Sequence, residues 1–350
     1  MTCLITGATG FIGRHLCAHL TARGQPVLAL MRDPARLARF RHQVTALGGR
    51  GDLLDALPGD LDVPGVTSAP LPPLSAVIHL GARFAWRMDA DIARRTNVDG
   101  SLAVAELARR AGCRLVFVSG FMLANRAHLQ RLGIDPDNAA GTDWPRVYRR
   151  AGAYEASKLE AAFRVRDAAA TGALDMVEVL PATLAGHSHS GDLDSAQPLY
   201  TLIDNLARGR LAMVPGSPAH WLPLISVDTL APLLAAAAGA PTPPRRLLAL
   251  DAHTPNLQGM LALLAETLGR RAPRRHLPMP VLAALLRLPG LPALMNTAPE
   301  ALHFIQPVRF DTAATEHFMT ASAIPLAPIA QVLHASAQHY RRSQAGIADR

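Results

Sequence analysis

Tyr154 and Lys158 carry the clearest chemical signal in this 350-residue sequence. Side chains four residues apart lie on one face of a helix, and the segment 154–170 has a helical pattern. An ammonium group close to a phenol lowers the pKa of the phenol and can bridge the ribose hydroxyls of a nucleotide. The tyrosine can then give a proton to a carbonyl oxygen, or take one in the reverse direction. We therefore predict Tyr154 as a catalytic acid and base, with Lys158 as its helper.

The rarity of lysine strengthens this prediction. Lys158 is the one lysine among 35 basic residues, and all the others are arginine. In a chain that otherwise uses arginine throughout, a retained lysine indicates a role that needs a compact ammonium group. The alternative interpretation is a solvated tyrosine and lysine on an ordinary helix.

A glycine-rich turn near the N-terminus is typical of a phosphate-binding element. An apolar run over 1–6, suited to a buried parallel strand, precedes the turn, and a helical pattern over 14–22 follows it. Gly7 lets the chain turn off the strand, Gly10 leaves room for a pyrophosphate, and Gly13 lets the helix pack against the sheet. The free amides of the helix N-terminus would face the anion. The residues of this turn predicted to contact a dinucleotide are Gly7, Thr9, Gly10, Phe11, Ile12 and Gly13, and a turn without a ligand is the alternative.

The end of the second predicted strand, 25–31, bears on the choice of dinucleotide. A carboxylate there would accept from the 2′-hydroxyl of the adenosine ribose and repel a 2′-phosphate. Met31 stands at that position and Arg32 follows, and a guanidinium can grip a 2′-phosphate. We therefore predict NADP as the cofactor, with NAD as the alternative and an ordinary exposed arginine as the other interpretation of Arg32. Asp52 and Leu53 are predicted to flank the adenine ring.

Strand and helix patterns alternate along the chain, which predicts an α/β fold with a doubly wound parallel sheet of the Rossmann type. The ligand crevice of such a sheet lies at the carboxyl ends of its strands. Further strands are predicted over 76–80, 114–118, 175–180, 222–227 and 246–250, further helices over 36–47, 97–112 and 228–238, and irregular structure over 123–150. We assign 1–176, with 222–250 returning to it, to the dinucleotide-binding domain. A smaller, mostly C-terminal substrate lobe comprises 177–221 and 251–345.

The composition argues against several classes of partner. The net charge of +8 comes from arginines that are scattered singly or in pairs, so we expect a solvated surface and no nucleic acid partner. Three cysteines without metal-ligand spacing predict neither a disulfide framework nor a metal site. Proline and Arg287 interrupt the apolar stretch 277–295, so we expect no spanning helix and no membrane partner. Since the first predicted strand leaves no room for a signal peptide, we expect a cytoplasmic protein.

Taken together, these motifs resemble the extended short-chain dehydrogenase/reductases, also called the NAD-dependent epimerase/dehydratase family, over roughly 1–250. The matching segments are Thr6 to Gly13, Gly51-Asp52-Leu53, His79-Leu80-Gly81-Ala82, Asn97-Val98-Asp99-Gly100, Phe117-Val118-Ser119, Tyr154 to Lys158 and Ser226-Val227-Asp228. The resemblance implies dinucleotide contacts also at Leu80, Gly81, Ala82, Pro181 and Thr183, and at Tyr154 and Lys158 themselves. It further implies a small-molecule substrate and a homodimer formed through two helices of the sheet domain.

The sequence departs from the family pattern at two places. Members usually carry a catalytic serine or threonine two residues past the position of Ser119, where this chain has Phe121. We therefore predict that Ser119 supplies the hydroxyl, with a group of the substrate lobe as the alternative. The segment Leu180 to Gly186 lacks the arginine or asparagine typical of nucleotide-sugar enzymes and is similar to that of dihydroflavonol-reductase-like members. Met122 and Leu123 stand where sugar dehydratases carry an Asp-Glu pair.

Three functions remain open on the sequence. The first is an NADPH-dependent oxidoreductase that reduces a ketone or aldehyde of a small, apolar or aromatic substrate. The residues that could line an apolar pocket, if they are not core, are Trp86, Phe121, Met122, Trp144 and Trp221. The second is an epimerase or isomerase that retains NAD. The third is a dinucleotide-binding sensor without turnover, which Phe121 alone supports.

Overall fold

Eleven strands form in the part of the chain that the computed structural model describes, which is residues 2–85, 88–170, 172, 174–288, 290–294 and 299–348. The strands are β1 Thr2–Thr6, β2 Val27–Met31, β3 Leu54–Pro58, β4 Leu74–His79, β5 Arg114–Val118, β6 Met176–Pro181, β7 Thr183–Ala185, β8 Val214–Pro215, β9 Leu224–Ser226, β10 Arg246–Ala249 and β11 His276–Leu277.

Seven strands make one parallel sheet in the order β10-β6-β5-β4-β1-β2-β3. The strand order reverses direction between β1 and β4, which pair in parallel. All five residues of β2 are buried, as expected for a strand covered on both faces. The predicted doubly wound parallel fold is confirmed. The reversal creates a topological switch point, the place where open α/β sheets bind ligands.

Fourteen α-helices connect the strands within the described residues. They are α1 Phe11–Ala22, α2 Leu37–Ala46, α3 Ala90–Ala93, α4 Gly100–Arg110, α5 Arg126–Leu132, α6 Trp144–Ala151, α7 Ala153–Ala170, α8 Pro198–Ala207, α9 Val227–Gly239, α10 Leu257–Leu268, α11 Met279–Leu285, α12 Leu291–Leu294, α13 Ala313–Ala321 and α14 Ile329–Ala348. A π-helical segment, Arg94–Asp99, leads into α4. Of the helices described, none is long and apolar enough to cross a membrane.

The chain divides into two compact units. The first comprises the chain up to Pro181 together with 230–248 and 314–324. It contains the seven-stranded sheet except for Ala249, the last residue of β10. Its core is apolar and draws on β1, β4, β5, α4 and α7. The second comprises 182–229, 249–313 and the chain from Pro325 onward. It has a separate core formed by α8, α10 and α14.

The structure is more regular than predicted over 123–150, where it contains α5 and α6. The Asn125 side chain caps α5 by accepting from the backbone amide of His128. Asp143 caps α6 in the same way, with a proline in its first turn. Both helices are short, so the capping residues are a stronger sequence signal than apolar periodicity. Strand β3 was also missed, because two of its five residues are exposed and its apolar run is interrupted.

A buried ion-pair group lies within the first unit. Glu178 on β6 is fully buried and accepts from Nε and Nη2 of Arg166 on α7, at 2.9 and 3.0 Å. Arg246 on β10 approaches the same carboxylate at 3.3 Å. A buried carboxylate requires such partners, because its desolvation is otherwise costly. The group therefore fixes α7, which carries Tyr154 and Lys158, against the sheet.

Replacing Glu178 tests this assignment. We expect Glu178→Ala to lower the free energy of unfolding by about 3 kcal/mol, because it leaves Arg166 without its buried partner. The matched control is Glu106→Ala, since Glu106 pairs with Arg109 on an exposed face of α4, where ion pairs contribute below about 1 kcal/mol. Urea unfolding measures both variants. Equal, small losses would show that the buried group does not stabilise the first unit.

Candidate active site

The glycine turn packs against the end of β4 at the switch point. Gly7 has a φ of +68°, and a Cβ on it would lie 2.8 Å from the backbone nitrogen of Gly81. A Cβ on Gly13 would lie 2.3 Å from the carbonyl oxygen of Gly7. No side chain fits at either position, so the turn and α1 come as close to the sheet as backbones permit. This is the geometry predicted for a dinucleotide cradle.

The N-terminus of α1 is open to an anion. Gly10 stands before the first residue of the helix in an extended conformation, and no side chain caps it. Thr9 and Gly10 are exposed, whereas Phe11 and Gly13 are buried. Uncapped first-turn amides and the helix dipole favour a phosphate at this point. The turn therefore fits the pyrophosphate of a dinucleotide.

Helix α7 presents Tyr154 and Lys158 near the carboxyl end of β5. Lys158 Nζ donates to the carbonyl oxygen of Val118, the last residue of β5, at 2.8 Å. The Tyr154 ring meets the ring of Phe84 edge-on, with the centroids 4.6 Å apart. Both polar side chains are half-buried. The structure thus fixes the ammonium group through the backbone of the sheet.

The pKa values differ from the sequence expectation. Burial raises the pKa of Tyr154 to about 12, and the charge of Glu155 adds to the increase. Burial also lowers the pKa of Lys158 to about 8, although the Glu178 carboxylate opposes this. The predicted lowering of the Tyr154 pKa by Lys158 is absent from this arrangement. Tyr154 is therefore protonated at neutral pH, as an unperturbed tyrosine is, and it is the weaker acid of the two.

Ser119 directly follows β5 and has a buried hydroxyl. Its side chain is 6% exposed, and its oxygen has no hydrogen-bond partner among the described residues. Its backbone amide donates to Val179, which holds it in line with the strand. An unpaired buried hydroxyl is costly, so this oxygen is available for a ligand. Phe121, two residues on, is 2% exposed and begins a short 3₁₀ helix.

Arg32 lies at the carboxyl end of β2, beside the predicted adenosine position. It is exposed and forms no ion pair with any residue that the structure describes. The carboxylate that follows it, Asp33, accepts from Nε of Arg36 at 3.0 Å and from the amide of Ala35. Asp33 is therefore engaged locally, which leaves the guanidinium of Arg32 for an anion.

Asp52 and Leu53 form a short 3₁₀ helix before β3. The Asp52 carboxylate is exposed and accepts from Nη2 of Arg50 at 2.8 Å, and this bond is the main cause of its lowered pKa. The two predicted adenine contacts thus lie on one short helix, which the Arg50 side chain contacts through Asp52. Leu53 is half-buried.

The remaining predicted contacts belong to strand ends. Leu80, Gly81 and Ala82 directly follow β4, and Ala82 is exposed. Pro181 ends β6 in the first unit. Thr183 lies in β7 of the second unit, and its buried hydroxyl has no partner among the described residues.

The aromatic residues proposed for an apolar pocket do not share one environment. Trp86 lies outside the described residues. Phe121 and Met122 are buried after β5, and Trp144 packs against the core of the first unit. Trp221 is 1% exposed in the second unit, with its indole donating to Val308. The exposed aromatic residue beside Tyr154 is instead Phe84, which the sequence reading missed.

A directed chain of hydrogen bonds connects β1 to the turn after β4 and to the segment before α4. The amide of Gly81 donates to Thr6 Oγ1 at 3.1 Å, and this hydroxyl bonds Nδ1 of His79 at 2.6 Å. His79 Nε2 lies 2.9 Å from Ser101 Oγ, which donates to the carbonyl of Asn97. Because Ser101 donates to a carbonyl, it accepts from Nε2 of His79, so Nε2 carries a proton. Burial, followed by the charge of Lys158, lowers the pKa of His79, so Nδ1 is unprotonated and accepts from Thr6.

Asn97 extends this chain to α7. Its side-chain nitrogen donates to Ser157 Oγ at 2.9 Å, and Ser157 donates to the carbonyl of Tyr154. Its side-chain oxygen accepts from the amide of Arg83 at 2.7 Å. All these side chains except that of Arg83 are buried or half-buried. The chain thus positions the first turn of α7 and the backbone that leads to Phe84.

Sequence reasoning assigned no role to Thr6, Asn97, Ser101 or Ser157. The signal that could have found them is a polar side chain on an otherwise buried strand or helix face. His79, which belongs to one of the segments that match the family pattern, is 2% exposed.

Comparisons with known proteins show the family and the fold of this chain. Residues 3–246 match the model of the NAD dependent epimerase/dehydratase family. A dihydroflavonol 4-reductase of Hordeum vulgare is 27% identical over 62% of this chain, which spans 60% of that relative's length. A putative dihydroflavonol 4-reductase of a Synechocystis strain is 28% identical over 82% of both chains. The terminal R domain of the myxalamid PKS-NRPS pathway shares the fold, with a TM-score of 0.75 at 19% identity, covering 98% of this chain and 90% of that one.

The protonation state of His79 can be measured directly. Burial, followed by the charge of Lys158, lowers its pKa to about 3, below the value of about 6.5 for an unfolded histidine. Between these values the unfolded chain binds a proton that the folded chain does not. The contribution of His79 to the free energy of unfolding is therefore complete above pH 6.5. It decreases as the pH falls, by up to about 1.4 kcal/mol per pH unit.

We expect long-range ¹H–¹⁵N spectra to show His79 protonated on Nε2 and unchanged from neutral pH to about pH 5. The difference from the His79→Asn spectrum assigns its signals. A titration midpoint near 6.5, or a proton on Nδ1, would contradict the directed chain.

Proposed function

The chain belongs to the NAD-dependent epimerase/dehydratase family, and we propose that it is an NADPH-dependent oxidoreductase that reduces a ketone or aldehyde. One observation carries the proposal: Tyr154, Lys158 and the unpaired Ser119 hydroxyl all belong to the elements around the carboxyl end of β5. A carbonyl oxygen needs hydrogen-bond donors and a proton source when it is reduced, and these are the groups that supply them.

The nicotinamide dinucleotide supplies the hydride when it is bound. Tyr154 then donates its phenolic proton to the carbonyl oxygen, so that hydride and proton together convert the carbonyl to an alcohol. The raised pKa of Tyr154 keeps that proton in place at neutral pH. Solvent restores the proton to the phenolate that remains, and Lys158, held by the carbonyl of Val118, binds the ribose hydroxyls of the nucleotide. Ser119 donates to the same carbonyl oxygen in place of the hydroxyl that Phe121 lacks.

The cofactor assignment depends on Arg32. Its guanidinium is exposed at the end of β2, whereas the carboxylate of Asp33 is held by Arg36. A free carboxylate at this place would favour a ribose hydroxyl, and a free guanidinium favours a 2′-phosphate. We therefore propose NADPH over NADH.

An apolar or aromatic substrate is proposed from Phe84. This ring is 36% exposed and contacts the ring of Tyr154. An exposed aromatic face beside the proton donor favours an apolar group next to the reacting carbonyl. The dihydroflavonol 4-reductase names of two relatives are consistent with such a substrate.

Removing one hydroxyl tests the mechanism. We expect Tyr154→Phe to lower kcat by about 10²- to 10⁴-fold, because only the proton donor is lost and the ring contact with Phe84 is kept. Tyr148→Phe is the matched control, since its hydroxyl donates to Glu160 on another face of α7. NADPH oxidation with a panel of aromatic and aliphatic carbonyl compounds measures turnover, and calorimetry measures NADPH binding.

In this experiment, NADPH binding by Tyr154→Phe should remain close to that of the wild type. A Tyr154→Phe protein that reduces carbonyl compounds as fast as the wild type would refute the mechanism.

The choice of dinucleotide has its own test. We expect Arg32→Ala to weaken NADPH binding by roughly 10- to 100-fold, because a charge-assisted bond to the 2′-phosphate is lost. NADH binding should change little. Arg39→Ala, at an exposed arginine of α2, is the control. Titration of all three proteins with both nucleotides gives the ratio, and equal losses for NADPH and NADH would remove the assignment.

A further inference from the structure

Four exposed arginines precede an apolar helix in the second unit. Arg270, Arg271, Arg274 and Arg275 are all exposed, and none forms an ion pair with a residue that the structure describes. Arg287 is also exposed, after α11. The sequence contains no acidic residue between Glu266 and Glu300. This segment, 270–288, is therefore purely basic in a protein that elsewhere mixes both signs.

Helix α11 is apolar on its exposed side as well as on its buried side. Leu282 and Leu286 are 4% and 1% exposed and anchor the segment in the second unit. Val281, Leu285 and Leu288 are 46%, 37% and 53% exposed. Of the eight large apolar side chains that are exposed in the described residues, these three lie within eight positions of one another. Such a cluster indicates a surface that contacts a membrane or another molecule.

We propose that the segment 270–288 docks the protein on an anionic phospholipid surface. An apolar helix face inserts at the boundary of head groups and acyl chains, and neighbouring arginines contact the phosphates. Basic residues next to such a helix add attraction to anionic lipids. The absence of acidic residues from 267–299 of the sequence removes the repulsion that such a surface would otherwise exert.

This proposal departs from the expectation of no membrane partner, which rested on the lack of a continuous apolar span over 277–295. The prolines and Arg287 that prevent a continuous apolar span are compatible with a helix in the plane of the interface. Arginine pairs elsewhere, such as Arg149 and Arg150 on α6, lack an exposed apolar neighbour of this kind among the described residues. The combination of charge and exposed apolar side chains, rather than charge alone, identifies the site.

Vesicle co-sedimentation with the full chain tests the proposal. We expect the protein to sediment with vesicles of phosphatidylcholine and phosphatidylglycerol at low salt, and much less with phosphatidylcholine alone. Raising the salt concentration should weaken the binding, because the attraction between exposed charges is screened. A wild-type protein that does not sediment with the anionic vesicles at low salt would overturn the proposal.

Paired variants test the apolar face and the arginines. We expect Val281→Asp/Leu285→Asp to weaken binding by roughly tenfold or more, since the apolar face no longer inserts and the anionic lipids repel the added carboxylates. Arg274→Gln/Arg275→Gln should weaken binding by roughly 25-fold, at about fivefold for each charge. The controls are Val308→Asp, at a valine that is 55% exposed, and Arg149→Gln/Arg150→Gln. Both controls should bind as the wild type does.

All the replaced side chains of the segment are exposed, so thermal unfolding should match the wild type and exclude misfolding as the cause. Wild-type binding by the Val281→Asp/Leu285→Asp variant would overturn the insertion of α11. Light scattering measures the oligomeric state of the same proteins. If the wild type does not bind vesicles and a segment variant changes the oligomeric state, the face belongs to a contact with a second copy of the chain. Loss of binding in the segment variants alone supports the lipid surface.

Discussion

The directed chain of hydrogen bonds from Gly81 to Asn97 is the constraint on which the candidate site depends. It begins at a backbone amide, which donates to Thr6, and it ends at a backbone carbonyl, which accepts from Ser101. Each member is buried, and an unsatisfied group there would cost about 1–3 kcal/mol. The glycine turn, the end of β4 and the first turn of α7 are therefore set relative to one another by one continuous polar path.

That path explains why neutral polar residues occupy the centre of the first unit. A charged histidine at His79 would have to replace the bond from Thr6 and would also face the ammonium group of Lys158, which already lowers its pKa. The two glutamates that are fully buried in the described part of the unit, Glu160 and Glu178, both form ion pairs with arginines. Burial lowers the pKa of Lys158, and the charge of Glu178 opposes this effect.

Much of the fold could be predicted from the sequence because the strands of a covered parallel sheet are continuous apolar runs, as in β1, β2 and β5. The glycine turn could also be predicted, since Gly7 and Gly13 are positions where any Cβ would meet backbone atoms. Strand β3 could not be predicted, because it depends on pairing with β2. Helices α5 and α6 could not be predicted either, because each depends on a single capping side chain. Tyr154 and Lys158 could be found from their spacing, whereas the bonds between Asn97, Ser157 and Arg83 join residues far apart in the chain.

The pKa shifts could not be read from the sequence either, because they follow from burial. A spacing of four residues predicts that Tyr154 and Lys158 share a helix face, but it does not specify where the ammonium group points. In the structure the ammonium group donates to the carbonyl of Val118. Burial and the charge of Glu155 raise the pKa of the phenol, so it stays protonated. The position of the ammonium group thus depends on the backbone of β5 as well as on α7.

The same bond gives a physical reason for a single lysine in an arginine-rich chain. A guanidinium at position 158 would bring five N–H donors and a charge that it cannot lose. At this position the structure shows one carbonyl acceptor for the cation, together with the face of the Phe117 ring, 5.7 Å from Nζ. A compact ammonium group with three donors is satisfied by fewer partners, and its pKa can adjust to burial. Arginine is tolerated wherever the charge faces water, and lysine is retained where the cation must be small and half-buried.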